Sequence, residues 1–363
     1  FPYTTLFRST TLSGIGEDQE GVSDLTWEKG LKKDVGIEIK MFDSRFSLNL
    51  DYFHERRWDI LIQRSSVPAI AGLNTQPYAN MGVMTNHGFE GTGEYADHIG
   101  DFGYRVYGNF SFARNKILEK DEAPTDPWRM RTGRPYGQCF GLVAVGIFKN
   151  EDEVANSPVQ EFGSYGVGDV KYLDYNKDNV INSHDEVPIG FSRVPELNYG
   201  FGFQLTWKGF DFGAFFRGQG RVTYYLGSTY FPFYTGVGKN NLFMAALDHV
   251  SVGTDAFGNP VATNLDARYP RLTATANANN MQTSTRTIYD GSLLRLSDLE
   301  FGYTLSGNSF IGRMGCNSVR FYLVGTNLLR WSPWTMWDPE TGSSNGNSYP
   351  LARKINIGAR FTF

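Results

Sequence analysis

The feature that most constrains this chain is strict two-residue alternation sustained over long runs. In "RFSLNLDYF", Phe46, Leu48, Leu50 and Tyr52 fall on one side while Ser47, Asn49 and Asp51 fall on the other. Successive side chains of a strand point to opposite faces, so this run reads as a strand with one apolar and one wet face. "NYGFGFQLTW" repeats the pattern, setting Tyr199, Phe201, Phe203, Leu205 and Trp207 against Gly200, Gly202, Gln204 and Thr206. A second run follows, with Phe210, Phe212, Ala214 and Phe216 on one side, and Lys208-Gly209 between the two reads as a hairpin turn. Similar runs occupy Tyr104 to Phe112, Leu299 to Leu305 and Val319 to Gly325, and the closing run places Ile355, Ile357, Ala359, Phe361 and Phe363 on one side. The longer runs reach about 9 to 11 residues. That is the reach of a tilted strand crossing a bilayer, and it exceeds the roughly 5 to 6 typical of soluble sheets.

Composition agrees, since 28 Phe, 20 Tyr and 41 Gly in 363 residues suit strands and turns rather than helices. No stretch approaches 18 consecutive apolar residues, so no transmembrane helix is expected, and an alternating barrel strand is not excluded by this. Long polar connections, Lys120 to Asn198 and Tyr224 to Asp290, alternate with short turns, the asymmetry of an outer-membrane barrel. The expected fold is therefore an all-β, antiparallel transmembrane β-barrel with long extracellular loops. The competing reading is a secreted calcium-binding β-sandwich, an adhesin or glycan-binding module, whose apolar rows would face a second sheet. "NNLFMAALDHV" is the best helix candidate, with Leu242, Ala246 and Leu247 on one face as a short docking helix within a loop, and a kinked loop is the competing reading.

A net charge of −4 with scattered Lys and Arg excludes a nucleic-acid footprint. Cys139 and Cys316 have no metal-type spacing; two unrelated buried thiols are favoured over one long-range disulfide. Phe1 to Ser9, "FPYTTLFRS", equals one reading frame of a common sequencing-adapter string, and residues 1–9 are set aside as an artefact. Residues 10–363 are expected to be a partial barrel, cut from a longer gene.

The sharpest local motif is "DYNKDNVINSHD". Asp174, Asn176, Asp178, Asn182 and Asp185 occupy positions 1, 3, 5, 9 and 12 of a calcium loop, and Val180 at position 7 can offer its carbonyl. Asn179 stands where Gly is usual, and Asp185 where a longer Glu is usual. The competing reading is a loop held by its own Asx turns, without metal. For catalysis the chain offers little: "GTGEY" and "SYGVGD" do not sit between a strand and a helix, and neither GxSxG nor HExxH occurs. The five histidines share no spacing, and Asp338 and Glu340 in "WDPETG" read as a turn rather than a glycosidase pair. No enzyme is expected.

Eight blocks, in order, carry a family resemblance: "LTWEKG" (25–30), "NMGVMTNHGFEGTGEY" (80–95), "GDVKYLDYNKDNVI" (168–181), "LNYGFGFQLTWKGFDFGAFFRGQG" (197–220), "GSLLRLSDLEFGYTL" (291–305), "VGTNLL" (324–329), "WDPE" (337–340) and "YPLARKINIGARFTF" (349–363). The chain from Leu25 onward resembles the C-terminal barrel of SusC/RagA-type TonB-linked outer-membrane proteins. The resemblance implies the C-terminal half of a 22-stranded, plugged barrel in a Bacteroidetes-type outer membrane. It implies import of oligosaccharides or peptides, energised by TonB-ExbB-ExbD through a missing N-terminal part, with a SusD-like lipoprotein over the mouth. It makes the 168–186 segment, with its possible Ca²⁺, a family element, and Phe361 and Phe363 a barrel-assembly signal. Roughly ten to twelve strands are expected here, too few to close. Such an open sheet is expected neither to fold stably alone nor to transport. Trp331, Trp334 and Trp337 are candidate sugar platforms, with an interfacial girdle the competing use.

Overall fold

The computed structural model describes residues 21–363 except 23, 72, 74, 123–125, 227–243, 307–310, 312–314, 345 and 347. Phe1 to Ser9 lie outside the described residues. Nine strands form one sheet: β1 (Lys29–Met41), β2 (Phe46–Gln63), β3 (Tyr78–Ile99), β4 (Phe102–Glu119), β5 (Leu197–Trp207), β6 (Phe210–Gly220), β7 (Leu293–Ser306), β8 (Ser318–Trp331) and β9 (Lys354–Thr362). Each pairs antiparallel with its neighbour in sequence, giving the order β1 through β9 without a crossover. The sheet does not close, and β1 and β9 are its edges. Among the described residues nine long strands replace the expected ten to twelve, because the described parts of 120–196 and 221–292 fold as a separate layer of short strands.

Register carries the alternation across strands. The row Leu205, Phe212, Phe301, Leu323 and Ile357 is apolar throughout, as is Val35, Tyr52, Phe89, Phe112 and Leu197. These side chains point outward, and Phe89, Phe201, Phe321 and Ile357 are exposed. Among the described residues no second sheet covers them, so the sandwich reading is abandoned. At 22 residues, β3 spans about 70 Å, well beyond an apolar band of about 25 Å.

One end carries tight turns at residues 42–45, 100–101 and 208–209 and the connection 307–317; the other carries the connections 64–77, 120–196, 221–292 and 332–353. Lys208 and Gly209 both have positive φ, 47° and 89°, the primed geometry that matches strand twist. A Cβ on Gly209 would lie 2.7 Å from the Thr304 carbonyl oxygen, so the turn needs glycine twice over. Only a 3-10 turn, Met244–Leu247, forms in the helix candidate; Ala246 is buried but Leu247 is exposed, and 240–243 lie outside the described residues.

The buried core lies in the loop layer. Leu142, Ile147, Val170, Tyr172, Ile181 and Val250 form one cluster; Val222, Tyr224, Tyr269, Tyr289 and Trp334 form another. Asp169, fully buried, ties the layer together. It accepts from Arg271 Nε and Nη2 at 2.8 Å each, from Asn280 Nδ2 at 2.9 Å and from the Gly166 amide at 2.9 Å. The pairing holds the Arg271 guanidinium pKa above its ordinary value, against the pull of burial.

Candidate functional site

The sheet's inner face is polar. One row runs Asn49, Thr92, Asn109, Gly200 and Arg217; the next runs Asp51, Glu90, Ser111, Asn198 and Gln219. Gly202 lets Tyr107 and Phe215 stack across it, with ring centroids 6.0 Å apart. Ion pairs cross the strands: Arg105 to Glu94 at 2.7 Å, and Arg320 to both Asp211 and Glu300. A cleft of about 590 Å³ opens on this wall, lined by Asn49, Asn109, Asn198, Gln219, Arg217 and Glu340 among others.

The last long connection, 332–353, folds down onto that wall. In "WDPETG", Asp338 caps a 3-10 turn, Pro339–Thr341, by accepting from the Glu340 amide, and Gly342 closes it at φ 58°. The expected turn is present, and its carboxylates are spoken for. Asp338 takes Arg295 at 2.6 Å, and Glu340 bridges Arg217 at 2.6 Å and Arg295 at 3.1 Å. Arg295 is buried, so removing its carboxylates would strand a charge. Sequence reasoning passed over Arg295, although an Arg inside the apolar run "LLRLSDL" is the kind of signal that marks a wall facing polar space.

The three tryptophans part company. Trp334 is buried and stacks on Tyr289 at 4.2 Å. Trp337 donates from Nε1 to Ser343 O at 3.1 Å and to Tyr289 Oη at 3.2 Å. Trp334 is thus a core residue and no sugar platform. Trp331, half-exposed at the upper end of β8 beside Phe216, suits an interfacial position. Trp207, Phe210 and Tyr303 form an aromatic group at the short-turn end.

The structure brings the six predicted calcium residues into one loop. Asp174 accepts from the Lys177 and Asn179 amides, Asp178 from the Val180 amide, and buried Asp185 from the Tyr175 and Asn182 amides. Asn182 accepts from the His184 amide in a capping box with Asp185. Asn179 adopts φ 67°, the conformation Gly would supply. Among the described residues no group of three or more His, Cys, Asp or Glu side chains converges as a metal cage. The hydrogen bonds within the loop fix its turn geometry.

Cys139 and Cys316 are buried in separate clusters, and no disulfide joins them. Burial raises the Cys139 thiol pKa, which makes it a poor nucleophile. Phe361 sits on the apolar face of β9 opposite Val319, and Phe363 is exposed.

An antiparallel meander with one lipid-type face, one polar face and loops gathered at one end defines the wall of a transmembrane β-barrel. Residues 3–281 match the family model described as TonB dependent receptor-like, beta-barrel, and the chain belongs to that family. It is 27% identical over its full length to TonB-dependent receptor P3 of Formosa agariphila, and 28% identical over 98% of its length to TonB-dependent receptor P26 of the same organism. It spans 38% and 37% of those relatives. The structure of the RagAB peptide transporter superposes on all of the chain with a TM-score of 0.72 at 22% identity, the chain covering 38% of it. The RagAB peptide importer in its "open-open" state gives 0.67 at 21% identity over 98% of the chain. Among the described residues no helix is long and apolar enough to cross a membrane.

Proposed function

We propose that this chain is part of the barrel of an outer-membrane importer that takes up oligosaccharides or peptides. The observation that carries the reading is the two-faced sheet: outward apolar rows beside an inner wall of amides, hydroxyls and paired charges, roofed by loops. Such a wall binds and passes polar cargo without covalent chemistry. The relatives' names and the RagAB likeness support energy coupling through TonB-ExbB-ExbD and a SusD-like lipoprotein on the loop side, in a Bacteroidetes-type outer membrane. The test is uptake of labelled oligosaccharide and peptide pools by cells carrying the full gene. Uptake of one pool, lost on deletion of TonB, is expected; uptake indifferent to TonB would end the reading.

Two smaller proposals accompany it. The 174–185 loop takes Ca²⁺ weakly through Asp174, Asn176, Asp178, Asn182, Asp185 and the Val180 carbonyl, stiffening a loop that already holds itself. A rise in its protection from hydrogen exchange at about 1 mM Ca²⁺, abolished by Asp178→Asn, is expected; no change would leave an Asx-turn loop. Phe361 and Phe363 serve barrel assembly, and truncating Phe363 should lower the yield of heat-modifiable protein in the outer membrane.

A further inference from the structure

The outer face of the sheet changes character abruptly toward the long loops. Above the apolar row Val35, Tyr52, Phe89 and Phe112, the next outward row is Lys33, His54, His87 and Arg114. The row beyond it is Leu31, Arg56, Thr85 and Lys116. Rows on one face are about 7 Å apart, so the cations occupy the first 7 to 14 Å beyond the apolar band. The headgroup layer of a bilayer has about that depth.

These charges are poorly matched from within. Lys33, Arg56, Arg114 and Lys116 are all exposed. Arg221, packed over Phe112, adds a fifth cation. The carboxylate among them is Glu196, which already serves Arg221 at 2.7 Å and Arg114 at 3.4 Å. Lys33, Arg56 and Lys116 enter no ion pair among the described residues. Lys33 and Arg56 lie diagonally on neighbouring strands, and Arg114 and Lys116 lie two residues apart on one strand, so the belt gathers positive charge that an anion would relieve. At the short-turn end, by contrast, Arg45 pairs with Asp97 at 3.0 Å and aromatics fill the rim.

We propose that this belt binds the phosphate groups of lipid headgroups in the leaflet on the loop side. Charge complementarity and direct continuity with the lipid-facing rows select a lipid phosphate over a soluble anion. The proposal rests on the membrane reading above. It adds a specific lipid partner and the residues that hold it.

The test takes the intact transporter, purified in non-ionic detergent and reconstituted in phosphatidylcholine nanodiscs doped with lipid A, either phosphorylated or phosphatase-treated. Native mass spectrometry of protein released from the discs reads the lipid retained. Wild type should retain phosphorylated lipid A and release the treated form. Lys33→Gln/Arg56→Gln/Lys116→Gln should weaken retention about a hundredfold, roughly fivefold per cation. Lys149→Gln/Lys177→Gln, in the loop layer, should leave it unchanged. Equal retention of the two lipid forms by wild type, or displacement by inorganic phosphate at the same concentration, overturns the proposal without recourse to any variant. Protein that stays in solution without detergent would instead end the membrane reading itself.

Discussion

The sheet and the loop layer solve the same problem in opposite ways. In the loop layer apolar groups are hidden: Leu142, Tyr172, Val250 and Trp334 are buried, and even Asp169 is enclosed with Arg271 and Asn280. In the sheet they are displayed, with Val35, Phe89, Phe201, Leu323 and Ile357 exposed along continuous rows. A protein in water cannot afford the second arrangement over so large an area. Two solvents therefore act on one chain, hydrocarbon on the outer face of the strands and water on the loops. Substitutions should therefore fall into two classes, told apart by the medium in which they are measured.

The largest effect is expected in the loop layer. Asp169→Ala removes the acceptor of four hydrogen bonds and leaves Arg271 unmatched, a loss of about 3–5 kcal/mol. Hydrogen exchange should show 148–172 and 262–282 opening while the sheet keeps its protection. Loss of protection in β4 to β8 as well would show that the two regions are one cooperative unit. Next comes Phe201→Arg, near the middle of an apolar strand face. It should cost about 2–4 kcal/mol in lipid and little in the protection of the loop layer. Equal tolerance of Arg and Ser at this position in lipid vesicles would remove the two-solvent account.

A smaller effect tests the turn chemistry. Gly209→Ala places a Cβ at φ 89° against the Thr304 carbonyl, and should cost about 1–2 kcal/mol in refolding equilibria. Lys208→Gly, at the neighbouring positive-φ position, should be neutral or mildly stabilising.

The strands were legible because their pattern is local. Phe46 to Tyr52 and Tyr199 to Trp207 declare both faces from sequence alone, and Lys208-Gly209 declares the turn. The loop layer was not legible, because its partners are distant: Asp169 meets Arg271 across 102 residues, and Gln160 meets Asn279 across 119. No periodicity announces such contacts. Trp334 was misjudged for the same reason, since an aromatic near a membrane rim looks alike whether it points at cargo or stacks on Tyr289. The aspartates of 174–185 show a third case. The spacing that would serve a calcium ion also serves a set of Asx turns, and the hydrogen bonds to main-chain amides are compatible with either use.

The gentlest way to separate the regions is acid. In the loop layer, burial would raise the Glu122 pKa, but the Thr132 hydroxyl at 2.7 Å and the Thr132 and Arg131 amides at 2.8 Å hold it below the ordinary range. Glu153 behaves alike, burial being outweighed by the Lys149 amide at 2.9 Å and Lys171 at 3.0 Å. A carboxyl whose folded pKa is depressed contributes stability above its unfolded value and loses it as pH falls through the folded one. Loop-layer stability should thus be level from about pH 7 to 5 and decline below about pH 4.3. Glu122→Gln should flatten the decline while lowering stability at neutral pH. The lipid-facing apolar rows carry no carboxylate, so the sheet's contact with lipid should hold through the same range, while the inner-wall pairs of Arg105 with Glu94 and of Arg320 with Asp211 weaken only at its acid end. A loop layer that grew more stable in acid would contradict the sign of both shifts.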